Sequence, residues 1–105
     1  MVTGLVTQTD PTRHDTGPGH PERSERVTAV VERLRASGLT QSCARIVAGP
    51  AAIADLERVH SERHVRAMQR AIEAGARVLD EGDTRASAGS WQAALESAGG
   101  AVLAA

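Results

Sequence analysis

"SERVTAVVERLRASGLTQSCARIVAG", residues 24–49, decides the fold class. Val27, Val30, Val31 and Leu34 recur at i, i+3, i+4 and i+7, with Glu25, Arg26, Glu32, Arg33 and Arg35 between them. That spacing places four apolar side chains on one helical face, and Gly38 supplies the stop, because glycine accepts the left-handed backbone of a helix end. "CARIVAG", residues 43–49, is a short strand candidate closed by Gly49 and Pro50. Upstream, "VTGLVT", residues 2–7, is rich in Val and Thr and is a second candidate. Strand, helix and strand in that order predict a βαβ unit, a parallel pair joined by a right-handed helical crossover.

Outward from this unit, "QTDPTRHDTGPGHP", residues 8–21, carries too many Asp, Pro and Gly residues to be anything but loop. Ala51 to Arg58 reads as a short helix. Ser61 offers an N-cap for a longer one, with Val65, Met68, Ile72 and Leu79 along one side and Gly75 near its end. After the polar segment "LDEGDTRASAGS", residues 79–90, a last helix is expected, with Asp83, Thr84, Ser87 and Ser90 as candidate caps. Trp91, Ala94, Leu95, Ala98 and Val102 form its apolar stripe, which assigns Trp91 to the core. Gly99 and Gly100 lie inside it and cost roughly 1 kcal/mol each relative to Ala, so they predict a closely packed neighbour. No Gly, Pro or basic residue ends this helix, and residues 1–105 are expected to be the N-terminal part of a larger domain.

Composition narrows the function classes. A formal net charge of -1 gives no electrostatic case for nucleic acid. Leu, Ile and Val make up only about a fifth of the chain and Phe is absent, so the core is thin and the helices are expected to pack against more protein. Cys43 stands alone, which excludes an internal disulfide and a cysteine-based zinc cluster. The opening "MVTGLVTQTD" lacks the basic and long apolar regions of a secretory leader, and no stretch is long and apolar enough to span a bilayer; the expected compartment is the cytoplasm.

Chemistry-bearing residues are few. His60 and His64 have the i, i+4 spacing of zinc ligands on a helix, but His-Glu-x-x-His is absent, and with Ser61 as N-cap His60 falls outside the helix. A structural role is favoured for the pair. In "HDTGPGHPERSER", residues 14–26, His14, Asp15, His20 and Glu22 offer nitrogen and oxygen ligands. The alternative is a turn through Gly17, Pro18 and Gly19, with Pro21 starting a helical segment and Glu22 and Glu25 favouring its N-terminus. Gly-x-Ser-x-Gly and phosphate-binding glycine loops are both absent.

The order of motifs carries more than any one of them. "TGLV", "HDTGPGHPERSER", "VHSERHV", "LDEGDTRASAGSW" and "AALESAGG" succeed one another as in the N-terminal part of histone deacetylase family proteins, and the chain resembles the bacterial class II-like deacetylases and acetylpolyamine amidohydrolases. The resemblance implies an arginase-like α/β fold, a mostly parallel sheet flanked by helices. It implies a zinc-dependent hydrolase removing acetyl groups from lysine side chains or polyamines through a metal-bound water. The family's paired histidines after a glycine and its Asp-x-His motif are missing here, so no catalytic residue and no metal ligand are expected in this chain, and the chain alone is expected to be inactive.

What carries over is the access region. By resemblance His14, Asp15, His20, Pro21 and Glu22 border the active-site entrance, Arg26 lies near a channel for released acetate, and Asp83 sits on a rim loop that hydrogen-bonds substrate backbone. Ser24 stands where the family usually has Pro. The expected partners are an acetylated substrate and either a second copy or a complementing C-terminal portion, with no nucleic acid and no membrane. Two other readings stand beside this one: a binding module docking through apolar helix faces, and a small metal-binding protein using His14, Asp15 and His20.

Overall fold

The computed structural model describes residues 1–105. Strands β1 (Thr3–Thr7) and β2 (Cys43–Val47) pair in parallel, with Thr3 opposite Cys43 and Thr7 opposite Val47. The Ala48 amide extends the ladder by donating to the Thr7 carbonyl at 3.0 Å. Between the strands run a 3-10 turn, Pro11–Arg13, helix α1 (Ser24–Ala36) and a single helical turn, α2 (Leu39–Ser42). After β2 come the short α3 (Ile53–Leu56), α4 (Glu62–Glu73) and α5 (Ser90–Ala104). This is the expected α/β order with a two-stranded parallel sheet. No helix is long and apolar enough to cross a membrane.

Local signals place most boundaries. Gly38 adopts φ +79° after α1. The Ser61 hydroxyl accepts from the His64 amide at 3.2 Å and caps α4. Gly75, at φ +88°, ends α4 in a Schellman motif, with Gly75 donating to the Ile72 carbonyl and Ala76 to Ala71. Leu79 is therefore outside the helix on whose stripe it was expected, and its amide instead donates to the Thr84 carbonyl. The start of α1 also differs from expectation. The helix begins at Ser24 with Arg23 as N-cap, so Pro21 does not open it and only Glu25 lies in its first turn. The reason is a competing contact: the Glu22 carbonyl accepts the Thr16 hydroxyl and is held in the preceding turn.

Small residues make up most of the core, with Val65 and Ile72 of α4 as its larger members. Ten residues are buried, and five of them lie on α5: Ser90, Ala93, Glu96, Gly99 and Gly100. This is not the stripe of Trp91, Ala94, Leu95, Ala98 and Val102, of which Trp91 is half-buried and Ala94 and Val102 are exposed. Close approach explains the reversal. A Cβ on Gly99 would overlap the Gly49 carbonyl oxygen and sit 2.6 Å from the Ala51 nitrogen; one on Gly100 would lie 3.3 Å from Val6 Cγ1 and Ala48 Cβ. The Ala51 amide then reaches the Leu95 carbonyl at 2.9 Å. The α5 backbone thus rests on the end of the sheet, and its larger side chains turn away.

Candidate functional site

The turned-away side chains line an open groove of about 1280 Å³. One wall is α5 through Trp91, Ala94 and Ala98, and another is α4 through Val65, Met68 and Ile72. Arg26, Val27 and Val30 of α1 form the third, with His14, Glu22 and Thr84 among the rim residues. Val30 is 59% exposed, so this helix shows its apolar face to the groove rather than to a core.

A polar seam fixes the segment after β1 onto α5 and sets the rim. Glu96 is buried on α5 and forms an ion pair with Arg13, accepts the Thr9 hydroxyl at 3.1 Å and accepts the Gln92 amide at 3.3 Å. Burial alone would raise its pKa; the hydrogen bonds from Gln92 and Thr9 and the Arg13 charge outweigh this and hold it below the usual glutamate value. Ser87 Oγ accepts the Asp15 amide and donates to the Arg13 carbonyl, each at 3.0 Å. Ser90 Oγ accepts the Ser87 amide at 2.8 Å and lies 2.8 Å from His14 Nδ1. Gly89 is required beside them, because a Cβ there would overlap the Arg13 carbonyl oxygen.

The predicted entrance residues divide between two sides of this loop. His14, Glu22 and Arg26 line the groove. Asp15 faces a separate small polar cleft with Gly17, Pro18 and Gly19, and its carboxylate accepts the Gly17 amide at 2.9 Å. Pro21 is exposed in the bend between them. His20 spans the gap to the second loop, its Nε2 lying 2.9 Å from the Asp83 carbonyl oxygen. Asp83 itself is exposed, and the turn that carries it is built by Asp80, whose carboxylate accepts the Gly82 and Thr84 amides and the Thr84 hydroxyl. These bonds, led by that hydroxyl, lower the Asp80 pKa against the effect of burial.

Three residues of this architecture escaped sequence reading: Arg13, Glu96 and Asp80. For Asp80 a signal existed, since Asp-x-Gly-x-Thr is the composition of an Asx turn. Arg13 and Glu96 are 83 residues apart, and no local pattern joins them. His60 and His64 depart from expectation in another way. Although His60 precedes the Ser61 cap, the two rings approach to 5.2 Å between centroids, because the His60 amide bonds the Leu56 carbonyl and the chain turns back before α4. Two imidazoles do not make a metal centre, and nowhere do three His, Cys, Asp or Glu side chains converge. The donor set for a catalytic zinc is not contained in these residues.

A family model described as "Histone deacetylase domain" matches residues 20–105. The chain is 36% identical over 107 aligned positions to a "Probable deacetylase" of Archaeoglobus fulgidus, a match covering 100% of this chain and 29% of that protein. It is 34% identical over 69 positions to "Histone deacetylase 7" of Homo sapiens, covering 62% of this chain and 7% of that protein. The chain thus spans less than a third of the length of either relative, and on the extent of the family match it belongs to the histone deacetylase family.

Proposed function

We propose that residues 1–105 form the N-terminal, non-catalytic segment of a zinc-dependent deacetylase with an arginase-like domain, acting on acetyl-lysine or acetylpolyamine substrates. In this reading the chain supplies the walls of the substrate entrance, and the metal ligands belong to other parts of the domain. The observation that carries it is the family match over residues 20–105, within which Arg26 lines the groove without a carboxylate partner, as do Arg23 and Arg85. A guanidinium is always charged and its fork suits a carboxylate such as acetate, so an unpaired one on a partly apolar wall is fitted to pass that product. Asp83, exposed on the neighbouring turn, offers carboxylate oxygens that suit the amide N–H groups of a substrate backbone.

The apolar groove supports the same reading. Val27 and Val30, which line it, remain 43% and 59% exposed, and further protein of the same domain is their proposed cover. The test is hydrolysis of an acetyl-lysine peptide and an acetylpolyamine with zinc added. The chain alone should give no turnover above a heat-denatured control, and a polypeptide extended through the family's paired-histidine region should be active. Turnover by residues 1–105 alone overturns the proposal.

A further inference from the structure

One side chain of the entrance stretch, His20, reaches the tip of the Asp83 turn. His20 Nε2 lies 2.9 Å from the Asp83 carbonyl oxygen, and His20 Nδ1 lies 3.1 Å from the Glu22 amide nitrogen. A carbonyl oxygen only accepts, so Nε2 carries the hydrogen, and in the neutral ring Nδ1 is bare and accepts from the Glu22 N–H. The opposite tautomer would turn a lone pair toward the Asp83 carbonyl. It would keep only the Glu22 carbonyl, 3.1 Å from Nδ1 and already accepting the Thr16 hydroxyl. One tautomer therefore satisfies both loops at once.

The two sides of this contact are unequally anchored. The segment before His20 is tied to the start of α5 by the His14–Ser90 contact and by the Asp15 amide on Ser87. The tip of the Asp83 turn, residues 80–84, is organised by the Asp80 carboxylate and the Leu79–Thr84 backbone bond, above a base closed by the Ala86 amide on the Arg77 carbonyl and the Val78–Arg85 bridge. The His20 imidazole is the one hydrogen bond that reaches residues 80–84 from outside this turn. We infer that His20 is a positioning residue: it hangs the Asp83 turn on the anchored loop and so fixes where the Asp83 carboxylate stands beside the groove. The inference rests on the proposed deacetylase reading only for what that carboxylate would meet.

Chemistry supplies a graded series of variants. Glutamine can place an amide N–H donor near the position of Nε2, asparagine can replace only Nδ1, and phenylalanine replaces neither. Spin labels at Glu25→Cys and Glu81→Cys, in a Cys43→Ser background of the full chain, read the distance between α1 and the turn. The unaltered His20 chain and His20→Gln should give one narrow distance. His20→Asn and His20→Phe should broaden it, with the open population rising about fivefold for one neutral hydrogen bond lost. Imidazole nitrogen NMR on the unsubstituted chain should show a single Nε2–H tautomer, a signature that stands even if a variant fails to fold. Narrow distances in the Asn and Phe variants, or an averaged or Nδ1–H tautomer, overturn the inference. Neither measurement involves turnover, so the inference and the deacetylase reading fail separately.

Discussion

Helices α1 and α5 both read as amphipathic, yet they pack in opposite ways. The regular stripe of α1 has no fully buried residue: Val31 and Leu34 are half-buried, and Val27 and Val30 are exposed along the groove. On α5 the contact face is Ser90, Ala93, Glu96, Gly99 and Gly100, a set that a search for large apolar residues passes over. Small residues let the α5 backbone approach the Gly49–Ala51 turn, and that proximity makes both the backbone hydrogen bond and the seam through Glu96 possible. Closeness of approach, rather than hydrophobicity, decides which helix is integrated into this fold.

The difference is open to direct attack. The largest effect is expected from Gly99→Val, which drives a branched side chain into the Gly49 carbonyl; overpacking of this kind costs about 3 kcal/mol or more, and the thermal transition should fall sharply or vanish. Next is the seam. Glu96, Asp80 and Asp10 all titrate below their ordinary values in the folded chain, Asp10 through the Thr12 hydroxyl and amide. A lowered carboxylate pKa stabilises the fold above its unfolded value and loses that stabilisation as pH falls through the folded one. Urea midpoints should therefore decline below about pH 4.5, the ordinary glutamate value, and Glu96→Gln should flatten part of that decline. A profile unchanged by Glu96→Gln would remove the seam from the account.

Gly100→Ala separates proximity from propensity. Its Cβ would meet Val6 and Ala48 at 3.3 Å, which slight movement of two side chains relieves, while alanine favours a helix by about 1 kcal/mol over glycine. A net gain below about 1 kcal/mol by chemical denaturation is expected, in contrast with its neighbour Gly99. The smallest effect is expected on α1. Val30→Thr should change stability by less than about 0.5 kcal/mol, since that side chain is 59% exposed; a loss above 1 kcal/mol would mean that the α1 stripe carries the fold after all.

The candidate site was legible to different depths for similar reasons. "HDTGPGHPERSER" reads by resemblance as a loop bordering an entrance, and the structure places His14, Glu22 and Arg26 of that stretch along one groove. The same letters do not reveal that Asp15 faces the other side, or that His20 reaches Asp83 across 63 residues. Asp83 was read for its carboxylate, whereas in the fold its carbonyl makes the contact and Asp80 builds the turn. Side-chain identity announces chemical capacity; partner choice depends on which loops the tertiary fold brings together.

What the sequence by itself determined are features set within a few residues: the two strands, the glycine stops at Gly38 and Gly75, and the Ser61 cap. These follow from backbone sterics and local hydrogen bonding, which neighbouring residues fix. Only the tertiary structure decided the face that α5 buries, the Arg13–Glu96 pair, and the meeting of His20 with the Asp83 turn. Each of these needs segments more than 40 residues apart to be in contact, and the energy that selects them arises only when their surfaces meet.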